Sequence, residues 1–194
     1  MTASPTISCA DAMLIAPGAG TDRTHASLVA LEDALAPLPV ERMDFPYRKQ
    51  GRRAPDRAPK LIAAIEAEAA ALAERTGASP ERIVLGGRSM GGRMCSMAVA
   101  DGLPAAALVL VCYPLHPPGK PDNLRVEHLP RISVPCLFVS GTRDSFGTPD
   151  ELQTWTATIP GPVTHEWIEG KGHDLRGANE DVAARVRAWL EGLA

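Results

Sequence analysis

A chain of 194 residues is long enough for one domain with a single sizeable core. Its 45% hydrophobic and 22% charged content, with a formal net charge of −3, belongs to an ordinary soluble globular protein and excludes a strongly basic nucleic-acid binder. Cys9, Cys95, Cys112 and Cys136 show no CxxC spacing, which removes support for zinc or redox motifs and suggests a reduced, cytoplasmic setting.

The N-terminal run "MTASPTISCADAMLIAPG" has no positive n-region and no long apolar stretch, so it does not read as a secretory signal. No window approaches the length of a bilayer span, and no membrane partner is expected. "AMLIAP" (Ala12 to Pro17) is a short apolar run ending in glycines, suited to a buried parallel strand. "SLVALEDAL" follows, with Leu28, Leu31 and Leu35 at helical spacing. "VERMDF" (Val40 to Phe45) is a weaker strand. The basic run Arg48 to Arg57 lacks interleaved aromatics and reads as a solvated loop rather than a nucleic-acid patch.

"LIAAIEAEAAALAERTG" puts Leu61, Ile65 and Leu72 on one helical face and ends at Gly77, a C-terminal cap. "RIVLGG" is the next strand, and "GGRMCSMAVADG" the helix after it, closed by Gly102. "AAALVLVC" (Ala105 to Cys112) and "PCLFVS" (Pro135 to Ser140) are continuous apolar strands, with Cys112 and Cys136 as small buried hydrophobes. Between them Tyr113 to Ser133 is too short for a lid domain and reads as a rim loop. Thr148-Pro149-Asp150-Glu151 has the cap, the proline and the third-position Glu of a helix start. "VTHEWI" (Val163 to Ile168) alternates like a half-exposed edge strand. The last helix carries Val182, Val186 and Leu190 on one stripe, with Asn179, Glu180 and Asp181 at its start.

This alternation predicts a single α/β domain over residues 1–194: a mostly parallel six-stranded sheet with helices on both faces. Ligand sites in such sheets form at the strand ends.

Gly87-Arg88-Ser89-Met90-Gly91 matches G-x-S-x-G between an apolar strand and a helix, the setting of a nucleophile elbow. Alone the pattern is weak, because a small residue in a tight turn explains it equally well. Asp144 follows the strand "PCLFVS", and His173 lies in "EGKGHDL" after "VTHEWI". Serine, acid and histidine thus stand at three successive strand ends in the order that an elbow hydrolase uses. An imidazole can take the serine proton, and a carboxylate can fix the ring's tautomer.

The other titratable residues have plainer readings. His165 is a strand-face residue, and His25 is too early in the chain to be the base. His116 and His128 sit in the rim loop, where solvent exposure is expected, His116 within reach of substrate. Asp150 is a first-turn helix residue, and Asp174 a neighbour of the base. The backbone N–H groups of Met90 and of Ala19, in the "APGAG" loop, are the candidates for an oxyanion hole. Arg88 and Tyr113 complete the candidate substrate contacts. Arg88 and Arg93 flank the elbow and suit either an anionic substrate group or a structural role.

"APGAG", "GGRSMGGRM", "YPLHPPGKP", "GTRDSFGT" and "GKGHDL" together resemble small bacterial α/β-hydrolases of the dienelactone hydrolase-like type. More narrowly they are similar to the group holding the testis-expressed hydrolase-like protein and a subunit of the NSL chromatin complex. The resemblance spans nearly the whole chain. It implies a minimal α/β-hydrolase fold without a lid domain, with Ser89, Asp144 and His173 as triad, and supplies no substrate. True dienelactone hydrolases use cysteine as nucleophile, so the serine here withholds that specific activity. The early antiparallel strands of larger hydrolases are also missing from the pattern.

The resulting expectation is a serine hydrolase acting on a small-molecule ester or similar acyl substrate through an acyl-enzyme, with no metal or organic cofactor. The pocket would be shallow, near Ala19, Met90 and Tyr113. A non-catalytic interaction module that keeps the fold, and non-hydrolytic chemistry on the same scaffold, are the competing readings. Oligomeric state is not legible.

Overall fold

Alternation within the strands feeds two separate cores. The computed structural model describes residues 7–193, so the first six residues of the segment read against a signal peptide lie outside the described residues. The strands are β1 (Ala12–Ala16), β2 (Val40–Arg42), β3 (Ile83–Arg88), β4 (Ala107–Val111), β5 (Cys136–Gly141) and β6 (Val163–Ile168). They form one sheet in the order β2-β1-β3-β4-β5-β6, with every neighbouring pair parallel. Successive side chains point to opposite faces. Leu14, Leu85, Leu110 and Phe138 therefore enter one core, while Ile15, Val84, Val109 and Leu137 enter the other. Burial on both faces is why these strands read as unbroken apolar runs.

Helices α3 (Ala58–Thr76) and α4 (Met90–Ala100) cover the first face through Leu61, Ile65, Leu72, Met94 and Ala98. Helices α1 (Ala26–Leu35) and α6 (Asn179–Gly192) cover the second through Leu28, Leu31, Leu35, Val182, Val186 and Leu190. Each fully buried leucine or valine contributes about 1.5–3 kcal/mol of transfer free energy. Gly77 ends α3 in the left-handed region at φ 70°, and its N–H donates to the Ala73 carbonyl. The short helix α5 (Pro149–Thr156) begins with the expected capping box: Thr148 Oγ1 accepts from the Glu151 N–H, and the Glu151 carboxylate accepts from the Thr148 N–H.

Two segments depart from expectation. The strand anticipated over Val40 to Phe45 stops at Arg42. Met43 donates one more bond to the Ile15 carbonyl, then Phe45 turns into Pro46, which opens the single-turn helix α2 (Pro46–Lys49). The basic stretch beyond is laced by ion pairs rather than free: Arg48 to Asp22, Lys49 to Glu68, and Arg52 to Asp56. At the opposite edge β6 is half-buried as its alternation suggests. His165 sits on its face between Phe138 and Trp167, with Nε2 2.9 Å from Thr156 Oγ1.

The chain leaves β1 toward β2 on one side and β3 on the other. The carboxyl ends of β1 and β3 therefore open a crevice at the point where strand order reverses, which is where open α/β sheets bind ligands.

Candidate active site

β3 runs directly into α4 with Ser89 at the corner. Its backbone, φ 51° and ψ −118°, is a region that costs about 1–3 kcal/mol for a residue with a side chain. The bend is held by the Ser89 N–H donating to the Val111 carbonyl at 2.8 Å. Space is the second requirement. A Cβ on Gly87 would strike the Ala16 carbonyl oxygen and approach the Gly91 carbonyl carbon to 2.9 Å. One on Gly91 would strike Ala16 and come within 2.6 Å of the Pro17 oxygen. The glycines let β1, β3 and α4 meet at van der Waals distance, which pushes the serine to the rim.

Ser89 precedes α4 yet its hydroxyl caps none of the helix N–H groups. Oγ instead lies 2.8 Å from His173 Nε2. His173 Nδ1 lies 2.8 Å and 3.0 Å from the two carboxylate oxygens of Asp144. Asp144 is 2% exposed, and its Oδ1 also accepts from the Phe146 N–H at 2.8 Å. A buried carboxylate on Nδ1 fixes that nitrogen as the protonated one and leaves Nε2 as acceptor for the serine proton. The structure brings together the three residues singled out by their order in the chain.

Two contacts that the sequence did not disclose steady the imidazole. Phe146 stacks on His173 with ring centroids 3.9 Å apart and planes 25° apart. Arg88 Nη2 donates to the His173 carbonyl at 2.9 Å. Arg88 thus ties the histidine loop to the end of β3 while also lining the cavity.

The candidate oxyanion donors flank the serine. Neither the Met90 nor the Ala19 N–H donates to a backbone acceptor among the described residues. The Met90 N–H opens α4, where the helix dipole favours negative charge. Around Ala19 the peptide carbonyls are pinned: Gly18 accepts from the Thr21 N–H and hydroxyl, and Ala19 accepts from the Tyr47 hydroxyl at 2.8 Å. With each peptide planar and trans, fixing those carbonyls also fixes the N–H groups opposite them.

An open cavity of about 540 Å³ lies over Ser89 and His173. Its walls include Ala19, Leu61, Met90, Met94, Pro114 and Phe146. Two expected substrate contacts are absent from it. Tyr113 is 1% exposed, packs edge-on against Phe138, and donates its hydroxyl to the Arg125 carbonyl at 2.7 Å. It is a core residue that anchors the rim loop from beneath. His116, expected in solvent and within reach of substrate, is buried, with Nδ1 2.9 Å from the Pro117 carbonyl and Nε2 3.5 Å from a Glu151 carboxylate oxygen. His128 is likewise buried, its Nε2 2.8 Å from Ser96 Oγ. Burial, and then the charges of Arg93 and Arg131, push its pKa down to about 4, which keeps the ring neutral. The rim loop folds inward instead of lying in water, and the apolar spacing of Leu115, Leu129 and Ile132, all buried, is the signal that accompanied this.

His25 caps α1, with Nδ1 accepting from the Ser27 N–H. Cys112 lies close behind the pair, its Sγ within 4.8 Å of ligand atoms of Asp144 and His173. Burial and then the Asp144 charge push its thiol up to about 12, so it packs there as a neutral group. No described helix is long and apolar enough to cross a membrane.

The chain matches the family described as Alpha/beta hydrolase domain over residues 10–189. A structure of the metagenome-derived lipolytic enzymes LipS and LipT aligns with a TM-score of 0.74 at 16% identity, covering 94% of each chain. An α/β serine hydrolase homologue from Coxiella burnetii gives 0.72 at 18% identity over 95% of this chain and 86% of its own. A monoacylglycerol lipase from Paleococcus ferrophilus gives 0.71 at 14% identity over 92% and 93%. At such identities the likeness is one of fold, while the family match covers nearly the whole length: the chain belongs to the α/β-hydrolase domain family.

Proposed function

We propose that this protein is a serine hydrolase that cleaves an ester or similar acyl substrate through an acyl-enzyme on Ser89. The observation that carries the reading is the unbroken chain from Ser89 Oγ to His173 Nε2 and from His173 Nδ1 to the buried Asp144, with 2.8 Å at each step. In the first half-reaction Ser89 Oγ attacks the carbonyl carbon as its proton passes to Nε2. The resulting oxyanion faces the Met90 and Ala19 N–H groups, and the imidazolium returns the proton to the departing alcohol. In the second half-reaction water loses a proton to Nε2 and attacks the acyl-enzyme, freeing the acid and restoring Ser89. Asp144 stays ionised throughout and balances the imidazolium.

The esterase, lipase and thioesterase structures among the fold neighbours support acyl transfer as the reaction class. The narrower likeness to the dienelactone hydrolase-like group belongs to this same proposal. The test is covalent labelling by a fluorophosphonate, read by intact mass, beside turnover of aryl esters of graded chain length. Wild type should gain one adduct and hydrolyse the esters, and Ser89→Ala should do neither. Equal activity in the two proteins, or folded wild type that never labels, defeats the reading and returns the non-catalytic module.

A further inference from the structure

The cavity over Ser89 carries a charge imbalance that the hydrolytic step does not use. Three guanidinium residues line it, Arg88, Arg93 and Arg125, and the one carboxylate residue among its described lining is Asp56. Asp56 is already engaged, with Arg52 at 2.9 Å and Lys60 at 3.2 Å. Arg88 is committed in part to the His173 carbonyl. Arg93 and Arg125 are different. Among the described residues neither enters an ion pair, and the Arg93 Nε is buried with no hydrogen-bond partner at all. A buried donor left unpaired is costly, more so when charged, so the Arg93 Nε calls for an acceptor.

Both arginines are held in place. Arg93 lies on α4 four residues after Ser89, and its N–H donates to the Ser89 carbonyl at 3.1 Å, so its side chain starts about one turn from the serine. Arg125 is pinned from both sides of its peptide: its N–H donates to the Leu115 carbonyl at 2.9 Å and its carbonyl accepts from the buried Tyr113 hydroxyl. Burial and then the nearby Arg93 charge hold Arg125 below the ordinary guanidinium range, so the Arg93 cation is felt at Arg125. Leu61, Met90 and Met94 add apolar surface to the same cavity.

We infer that the substrate carries a second group, a carboxylate, which Arg93 and Arg125 bind while its other end presents the scissile carbonyl to Ser89. The acyl chain linking the two is short and apolar, as in a half-ester of a dicarboxylic acid. Guanidinium forks match a carboxylate in shape as well as charge, which a neutral ester cannot exploit. This inference rests on the reading of Ser89 as nucleophile, and it specifies which acyl groups that nucleophile sees.

The test compares 4-nitrophenyl hydrogen adipate with 4-nitrophenyl hexanoate, acyl chains of equal length with and without the terminal carboxylate. Wild type should favour the adipate by about tenfold or more in kcat/KM, a ratio that falls at least about tenfold in Arg93→Gln and in Arg125→Gln and shrinks in high salt. Binding is measured separately by calorimetry on Ser89→Ala, where monomethyl adipate should bind about tenfold or more tighter than methyl hexanoate and lose that advantage when Arg125→Gln is added. A wild-type ratio of one or less, or a binding advantage that survives loss of the arginine, overturns the inference. If an arginine variant does not fold, the ratio and its salt dependence in wild type still decide. Ester turnover without anion preference removes this inference alone. Carboxylate binding without labelling at Ser89 removes the hydrolase reading and leaves the anion site standing.

Discussion

Arg88 and His173 are joined by a single hydrogen bond from a guanidinium at the end of β3 to the backbone carbonyl of the residue that faces Ser89. The contact links the end of β3 to the histidine loop, 85 residues further along the chain. Such a contact acts on the chemistry through position. Replacing Arg88 with Met should lower kcat by about ten- to a hundredfold, the cost of displacing a catalytic group by roughly an ångström, with a smaller change in KM. Steady-state kinetics on a neutral ester, beside a thermal melt, would check it. A variant that lost only thermal stability would show that Arg88 does not position the imidazole.

The strain at the elbow leads to an opposite pairing of stability and activity. Ser89 adopts φ 51° and ψ −118°, which glycine tolerates without a Cβ. Ser89→Gly should therefore gain about 1 kcal/mol in urea unfolding, after allowing for the looser unfolded chain, while ester turnover falls by at least about 10³. Gly91→Ala points the other way. Its Cβ has the Ala16 and Pro17 carbonyls in its path, so the protein should lose several kcal/mol or fail to fold. If both variants unfolded at the wild-type midpoint, the elbow would be unstrained and loosely packed.

What was legible in the sequence is what short-range pattern encodes. Ser89 and Asp144 were visible because each follows a strand of mostly unbroken apolar residues, and His173 because it follows an alternating edge strand; strand ends share one edge of a parallel sheet. Phe146 could not be seen in the same way. Its stacking on His173 depends on how the turn after Asp144 folds back, which no periodicity records. The rim loop misled for a related reason. Polar and proline-rich, it resembles a solvated connection, yet Tyr113, His116 and His128 are buried, with hydrogen-bond partners at Arg125, Pro117 and Ser96. Those partners come from backbone carbonyls and a distant helix, so composition gives no hint of them.

Burial of His128 makes the protein acid-sensitive in a defined window. An unfolded histidine binds its proton near pH 6.5, whereas this one is held down to about 4 by burial and by the Arg93 and Arg131 charges, opposed by Glu127 and Asp101. Between those values the unfolded chain holds more protons, so stability falls as pH is lowered from about 6.5 to 4 and levels off below. The loss attributable to this residue should be about 2 kcal/mol between pH 7 and 5. Urea unfolding at the two pH values, for wild type and His128→Asn, isolates it from His25 and His165, which burial also depresses. A variant as acid-sensitive as wild type would show that His128 titrates normally.

Cys112 is the remaining rival for the nucleophile, because its sulfur lies within a few ångströms of Asp144 and His173. Geometry separates it from Ser89, whose Oγ alone lies at 2.8 Å from Nε2 and lines the cavity, and ionisation separates the two further. Cys95, Cys112 and Cys136 are fully buried and pushed up to about 12 by desolvation, which leaves on the order of one thiolate in ten thousand or fewer near neutral pH. Cys9 is only half-buried, its thiol raised more modestly by the same cause while donating to the Leu190 carbonyl. Iodoacetamide at pH 7.5 should accordingly alkylate Cys9 slowly, spare the other three, and leave ester turnover at the untreated level. Peptide mapping alongside the activity assay reads both. Inactivation that tracks modification of Cys112 would count against the serine as nucleophile.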